Sequence, residues 1–172
     1  MAGGEWKVLG MQTTTKNPPG VSATQPRNQG RDYAQFDLNE IARSFPQTAD
    51  SLLLDTYLTD EKAASARVFR VYRPTPPHYH ATCDEYLYVL RGKGTFWLGS
   101  PENSGVFSPG FLLFFKRGTV HAFPELLEEP VVFLSVDTPR RDPRDIIFVN
   151  PADGTPESFI QPQTQGAPRA LK

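Results

Sequence analysis

The chain has 172 residues, 19 acidic against 18 basic, and a formal net charge of −1. That balance lacks the basic footprint of a nucleic-acid-binding surface, and no apolar run approaches the length of a membrane-spanning helix. A single cysteine precludes an intrachain disulfide and a thiolate-rich zinc site, and it suits a reducing compartment.

Residues 1–50 read as a short N-terminal extension. The opening Met1-Ala2-Gly3-Gly4-Glu5-Trp6-Lys7 lacks the apolar centre of a secretory signal, so a cytoplasmic address is expected. Residues 6–9 are a candidate strand, followed by a polar stretch bearing Pro and Gly. A short helix is expected after Asp37 as N-cap, with Glu40 completing a capping box and Pro46 ending it. Residues 51–138 alternate short apolar runs with Gly and Pro, which predicts strands at 52–57, 66–72, 85–90, 94–98, 111–115 and 131–136. Residues 139–172, rich in Pro, Gln, Gly and charge, read as loop and tail. The run Arg140-Arg141-Asp142-Pro143-Arg144-Asp145 mixes both signs of charge and reads as a solvated loop.

The most informative residues are the scarcest. Three histidines occur in the whole chain, and they form one pattern with Glu85: His78, His80, then His121. Residues two apart in an extended strand share a face, so His78 and His80 can aim two imidazoles at one point. Glu85 opens the strand-like run Glu85-Tyr86-Leu87-Tyr88-Val89-Leu90, and a turn through Ala81-Thr82-Cys83-Asp84 would fold it back beside the pair. His121 follows the turn signal Lys116-Arg117-Gly118-Thr119-Val120 and is placed to supply a third nitrogen. Three imidazoles and a carboxylate suit a divalent transition metal: iron(II), manganese(II), nickel(II) or zinc(II).

Two stretches resemble the cupin family. The first runs Pro77-His78-Tyr79-His80-Ala81-Thr82-Cys83-Asp84-Glu85 and closes on Gly92. The second runs Gly110-Phe111-Leu112-Leu113-Phe114-Phe115-Lys116-Arg117-Gly118-Thr119-Val120-His121. The resemblance implies an all-β fold, a small double-stranded β-helix or jelly-roll barrel. It also implies that His78, His80, Glu85 and His121 are metal ligands. The sequence departs from the family pattern at Tyr72 in place of glycine, Lys116 in place of proline and Glu125 in place of asparagine. None is a ligand position.

Each residue also has an ordinary role to set against the chemical one. Two histidines alone could be a surface pair on an exposed strand, and Glu85 could orient a ligand rather than be one. Asp84 should point away from Glu85 as a solvated turn residue. Cys83 reads as a small, half-buried side chain. Arg70 could bind an anionic substrate if it pointed inward, but outward exposure is expected, because Pro74, Pro76 and Pro77 break the parity with His78. Phe96, Phe107, Phe111, Phe114, Phe115, Phe123 and Phe133 read mainly as core, with some rings lining a dry pocket.

Such a centre keeps a residual charge of about +1 and two open positions, which favours a monoanionic, chelating small molecule. The expected function is a metal-dependent enzyme, with oxygenase-type chemistry and iron(II) favoured by the resemblance. A non-redox isomerase, lyase or decarboxylase would use the same geometry. A ligand-binding sensor without turnover is the alternative from another class, although no helix-turn-helix is visible. A metal-free sugar-nucleotide epimerase is disfavoured by the complete ligand set. Residues 6–9 offer an edge strand that could pair across a homodimer.

Overall fold

The computed structural model describes residues 31–159. Consecutive apolar residues there part to opposite faces of one sheet. Leu53 and Leu54, Val68 and Phe69, and Val131 and Val132 each divide between two separate clusters, one inside the curl of the sheet and one outside it. This is the period-two geometry of a strand buried on both sides.

The strands are β1 (Leu53–Glu61), β2 (Ala64–Val71), β3 (Thr75–Tyr79), β4 (Asp84–Leu98), β5 (Ser100–Phe107), β6 (Leu112–Phe115), β7 (His121–Phe123), β8 (Leu126–Thr138) and β9 (Ile147–Phe148). They form one curled antiparallel sheet in the order β1-β2-β8-β4-β7-β3-β9, with β5 and β6 also paired to β4. The expected all-β double-stranded β-helix is the observed architecture.

Strand β4 organises the barrel. Its first half lies between β6 and β8, with Glu85 opposite Phe115 on one side and Asp137 on the other. Its second half pairs with β5 and β7. The change of partners falls at Gly92, whose φ is 78° and where a Cβ would come within 2.5 Å of the Pro130 carbonyl. Glycine alone accommodates both the positive φ and that approach. The runs expected at 85–90 and 94–98 are thus one continuous bent strand.

Strands β5, β7 and β9 carried no readable pattern, and β3 was marked only by the same-face spacing of His78 and His80. Strand β3 contains Pro76 and Pro77, which cannot donate to a ladder. It is tolerated because the β3–β7 register is irregular between Thr75 and His78. Strand β5 is largely exposed and polar, while β7 and β9 are very short.

Helix α1 (Leu38–Ser44) begins as expected, with the Asp37 carboxylate accepting the Glu40 N–H at 2.9 Å, and ends ahead of Pro46. It lays Ile41, Ala42 and Phe45 on Leu54, Leu58, Val68 and Val132 outside the barrel. Burial of Ile41 there contributes about 1.5–3 kcal/mol. The strand expected at residues 6–9 lies outside the described residues.

Two expectations are corrected. Arg70 is buried, not exposed, because it shares a face with Val68 under α1, where it donates to the carbonyls of Pro46 and Gln47. The run at 140–145 is not wholly solvated: Arg141 and Asp145 are buried, and the chain continues through β9 into a four-residue helix α2 (Pro156–Phe159) whose Phe159 joins the inner core. Among the described residues, no helix is long and apolar enough to cross a membrane.

Candidate metal centre

His78 and His121 face each other as register partners on β3 and β7. His80 follows two residues after His78, on the same side. One ring nitrogen from each of the three lies within 4.8 Å of the others, and all three rings are buried. The burial pattern of β4 alternates over its first residues, so Glu85 points inward while Asp84 and Tyr86 do not. Glu85 Oε2 comes to 3.5 Å from His80 Nε2 and 3.4 Å from His121 Nε2. The three histidines therefore form one cluster inside the barrel, and Glu85 approaches it on the side of His80 and His121. Asp84 instead pairs at the surface with Arg117, as its parity requires.

Each imidazole is oriented from behind. The Nδ1 atoms of His78, His80 and His121 meet the backbone carbonyls of Pro76 (2.7 Å), Asp145 (2.5 Å) and Thr119 (3.0 Å). A carbonyl only accepts, so each Nδ1 carries the proton and, in a neutral ring, Nε2 holds the lone pair. The ring of His121 is further fixed by stacking on Phe115 at 4.0 Å. Gly118, at φ 78° in the turn before β7, donates its N–H to the His80 carbonyl at 2.7 Å, which ties the two histidine-bearing segments together.

Asp145 is a residue that sequence reasoning missed. Its carboxylate accepts from the N–H groups of Ala81 and Thr82 and from the Thr82 hydroxyl. Burial alone would raise its carboxyl; the Thr82 hydroxyl and the two N–H groups hold it below the ordinary value. No local signal marked it, because its partners lie more than 60 residues away.

Beneath the histidines lies a buried ionic cluster. Arg67 meets Asp55 at 3.3 Å, Glu85 at 3.4 Å and Asp137 at 3.6 Å, and Arg141 meets Asp137 at 3.6 Å. All five side chains are at most 5% exposed. Against the cost of burial, Asp137 and its neighbours keep Arg67 firmly protonated. Arg67 was legible in principle: it shares strand parity with Phe69 and Val71, two inner-face core residues.

The electrostatics favour a cation at the centre. Burial first, then His121 and His80, hold the His78 imidazole well below 6.5, so it stays neutral. Burial would raise the Glu85 carboxyl, but the facing His80 and His121 hold it well below the usual carboxylate range. The cluster's two guanidiniums face three carboxylates, a net charge of −1 that a divalent ion would turn to +1.

Residues 70–137 match the family model of the cupin domain. This part of the chain is a cupin domain. No curated protein matches the sequence. Among solved structures, the cupin domain is similar to an uncharacterized double-stranded β-helix protein from Klebsiella pneumoniae, at 18% identity over 63% of this chain and 92% of that one, with a TM-score of 0.52. The protein TT1209 from Thermus thermophilus matches at 21% identity over 62% and 97%, with a TM-score of 0.51. KdgF from Halomonas sp. matches at 22% identity over 56% and 88%, with a TM-score of 0.49. At these identities the cupin likeness speaks for the fold, and the site must be argued from its own geometry.

The remaining candidates fall outside the centre. Cys83 is fully rather than half buried, which pushes its thiol up to about 12. Of the phenylalanines, Phe123 lines the cavity around the histidines, Phe107, Phe115 and Phe133 fill the core, and Phe111 and Phe114 are exposed.

Proposed function

We propose that this chain is a metal-dependent enzyme acting on a small chelating organic molecule, with His78, His80, His121 and Glu85 holding one divalent transition metal. The carrying observation is that four donor groups converge while every Nδ1 is turned away to a backbone carbonyl, which leaves the Nε2 atoms of His80 and His121 facing one Glu85 carboxylate oxygen 3.4–3.5 Å away. Three imidazole nitrogens with one carboxylate oxygen are a donor set for iron(II), manganese(II), nickel(II) or zinc(II). Glu85 is suited to ligation because its other oxygen, Oε1, is engaged by Arg67 and Ser135, each at 3.4 Å.

When bound, the metal supplies Lewis-acid polarisation of a substrate oxygen and, if it is iron, access to dioxygen chemistry. The protein contributes the rest. Carbonyls behind the histidines fix their tautomers and directions. Leu53, Phe69, Leu87 and Phe123 form the apolar part of the wall around the centre. That apolar wall favours oxygenase-type chemistry with iron(II), where reactive species need protection from water. A binding role without turnover is the second reading, favoured by the closure of the site by Phe159. The single, buried Cys83 suits a cytoplasmic address.

The test is metal content by plasma mass spectrometry on untagged, anaerobically purified protein, followed by oxygen uptake with chelating enolates, phenolates and hydroxy acids. One metal per chain is expected, and His80→Ala should lose it while keeping the far-ultraviolet spectrum of the folded barrel. Unchanged metal in that variant refutes the centre. Turnover separates the enzyme from the binder.

A further inference from the structure

Phe159 is an unusual core residue. It ends the four-residue helix α2, whose own hydrogen bonds run locally from Ser158 and Phe159 back to Thr155. Yet its ring is 5% exposed and lies 4.9 Å from His78. It lines the same cavity as the three histidines, Glu85, Arg67 and Arg141. The space left there is about 20 Å³, room for one water molecule or one ion and for no organic molecule. A substrate can reach the histidines from this cavity only by taking the place of that ring.

Arg141 supplies the second observation. It is 1% exposed, and its Nε and Nη2 atoms have no hydrogen-bond partner among the described residues. Its one ionic contact among the described residues is Asp137, at 3.6 Å from Nε. Buried groups with unmade hydrogen bonds are rare and costly, and a guanidinium is built to hold oxyanions.

We propose that the volume filled by Phe159 is the substrate pocket, that Phe159 is its displaceable cap, and that Arg141 receives the carboxylate of a small hydroxy acid bound there. This rests on the metal centre proposed above. Charge agrees: the ionic cluster with a divalent ion carries +1, which a monoanion neutralises. The ligand class follows from two needs at once, a carboxylate for the free guanidinium edge and an adjacent oxygen for the centre.

The test uses the full chain loaded with cobalt(II), titrated with glycolate and, as the neutral counterpart, ethylene glycol, and followed by its visible spectrum. Phe159→Ala should bind glycolate at least ten-fold more tightly and release cobalt to EDTA faster than the parent. In that background, Arg141→Met should weaken glycolate at least ten-fold, Arg141→Lys should weaken it less, and ethylene glycol should be indifferent to both. Should Arg141→Met fail to fold, Arg141→Lys reads the same interaction. Unchanged glycolate affinity and EDTA rate in Phe159→Ala overturn the cap, and equal glycolate affinity with and without Arg141 overturns the anion site. A chain that takes up no cobalt at all refutes the metal centre instead, so the two failures are separable.

Discussion

The backbone carbonyl of Asp145 takes the Nδ1 proton of His80, 65 residues earlier, while the Asp145 carboxylate holds the N–H groups of Ala81 and Thr82 just beyond it. One residue thereby fixes both the imidazole and the loop that follows it. Asp145→Ala removes the carboxylate half of this latch. The expected result is one metal per chain still, but an affinity lower by about 10–100-fold, the usual effect of losing an orienting partner behind a ligand. Competition against a chromophoric chelator measures it, and an unchanged affinity would show that the loop holds its shape unaided.

Arg67 balances Asp55, Asp137 and Glu85 in a buried cluster. Arg67→Met keeps most of the side chain's volume and deletes its charge. Leaving buried carboxylates uncompensated costs about 3–5 kcal/mol, which urea unfolding of the metal-free protein would register. A loss below about 1 kcal/mol would mean that the cluster is hydrated and its charges screened.

A metal bound only by the folded chain stabilises it. At a free concentration of 100 times Kd the gain is about 2.7 kcal/mol, or about 8 °C in melting temperature for a domain of this size. EDTA treatment should lower Tm by that order, and readdition of the metal should restore it. Equal melting curves with and without EDTA would argue against a metal that belongs to the fold.

The outer face of the β4–β6 pair is apolar. Tyr86 lies opposite Phe114 and Tyr88 opposite Leu112, all between 37% and 62% exposed. Contiguous exposed apolar side chains on a sheet favour self-association, so a homodimer is expected by light scattering at micromolar concentration. The double substitution Leu112→Glu with Phe114→Glu should give a monomer with its metal intact. A monomeric parent protein ends this prediction.

The sequence by itself determined the barrel and the four residues that converge in it. The barrel came from the resemblance to the cupin family, and the four residues from that resemblance together with short-range geometry, namely the same-face spacing of His78 and His80, the turn signal before His121, and the strand-like run that Glu85 opens. Tertiary structure decided everything that depends on which strands become neighbours. Arg67 pairs with Asp55, Glu85 and Asp137 across three strands. Arg141 and Asp145 leave a run that looks solvated because the chain after β8 turns back over the barrel. Phe159 joins the core through a helix too short to carry any periodicity. A charged side chain can be buried only when its partners are supplied, and those partners come from register and topology rather than from the residues beside it.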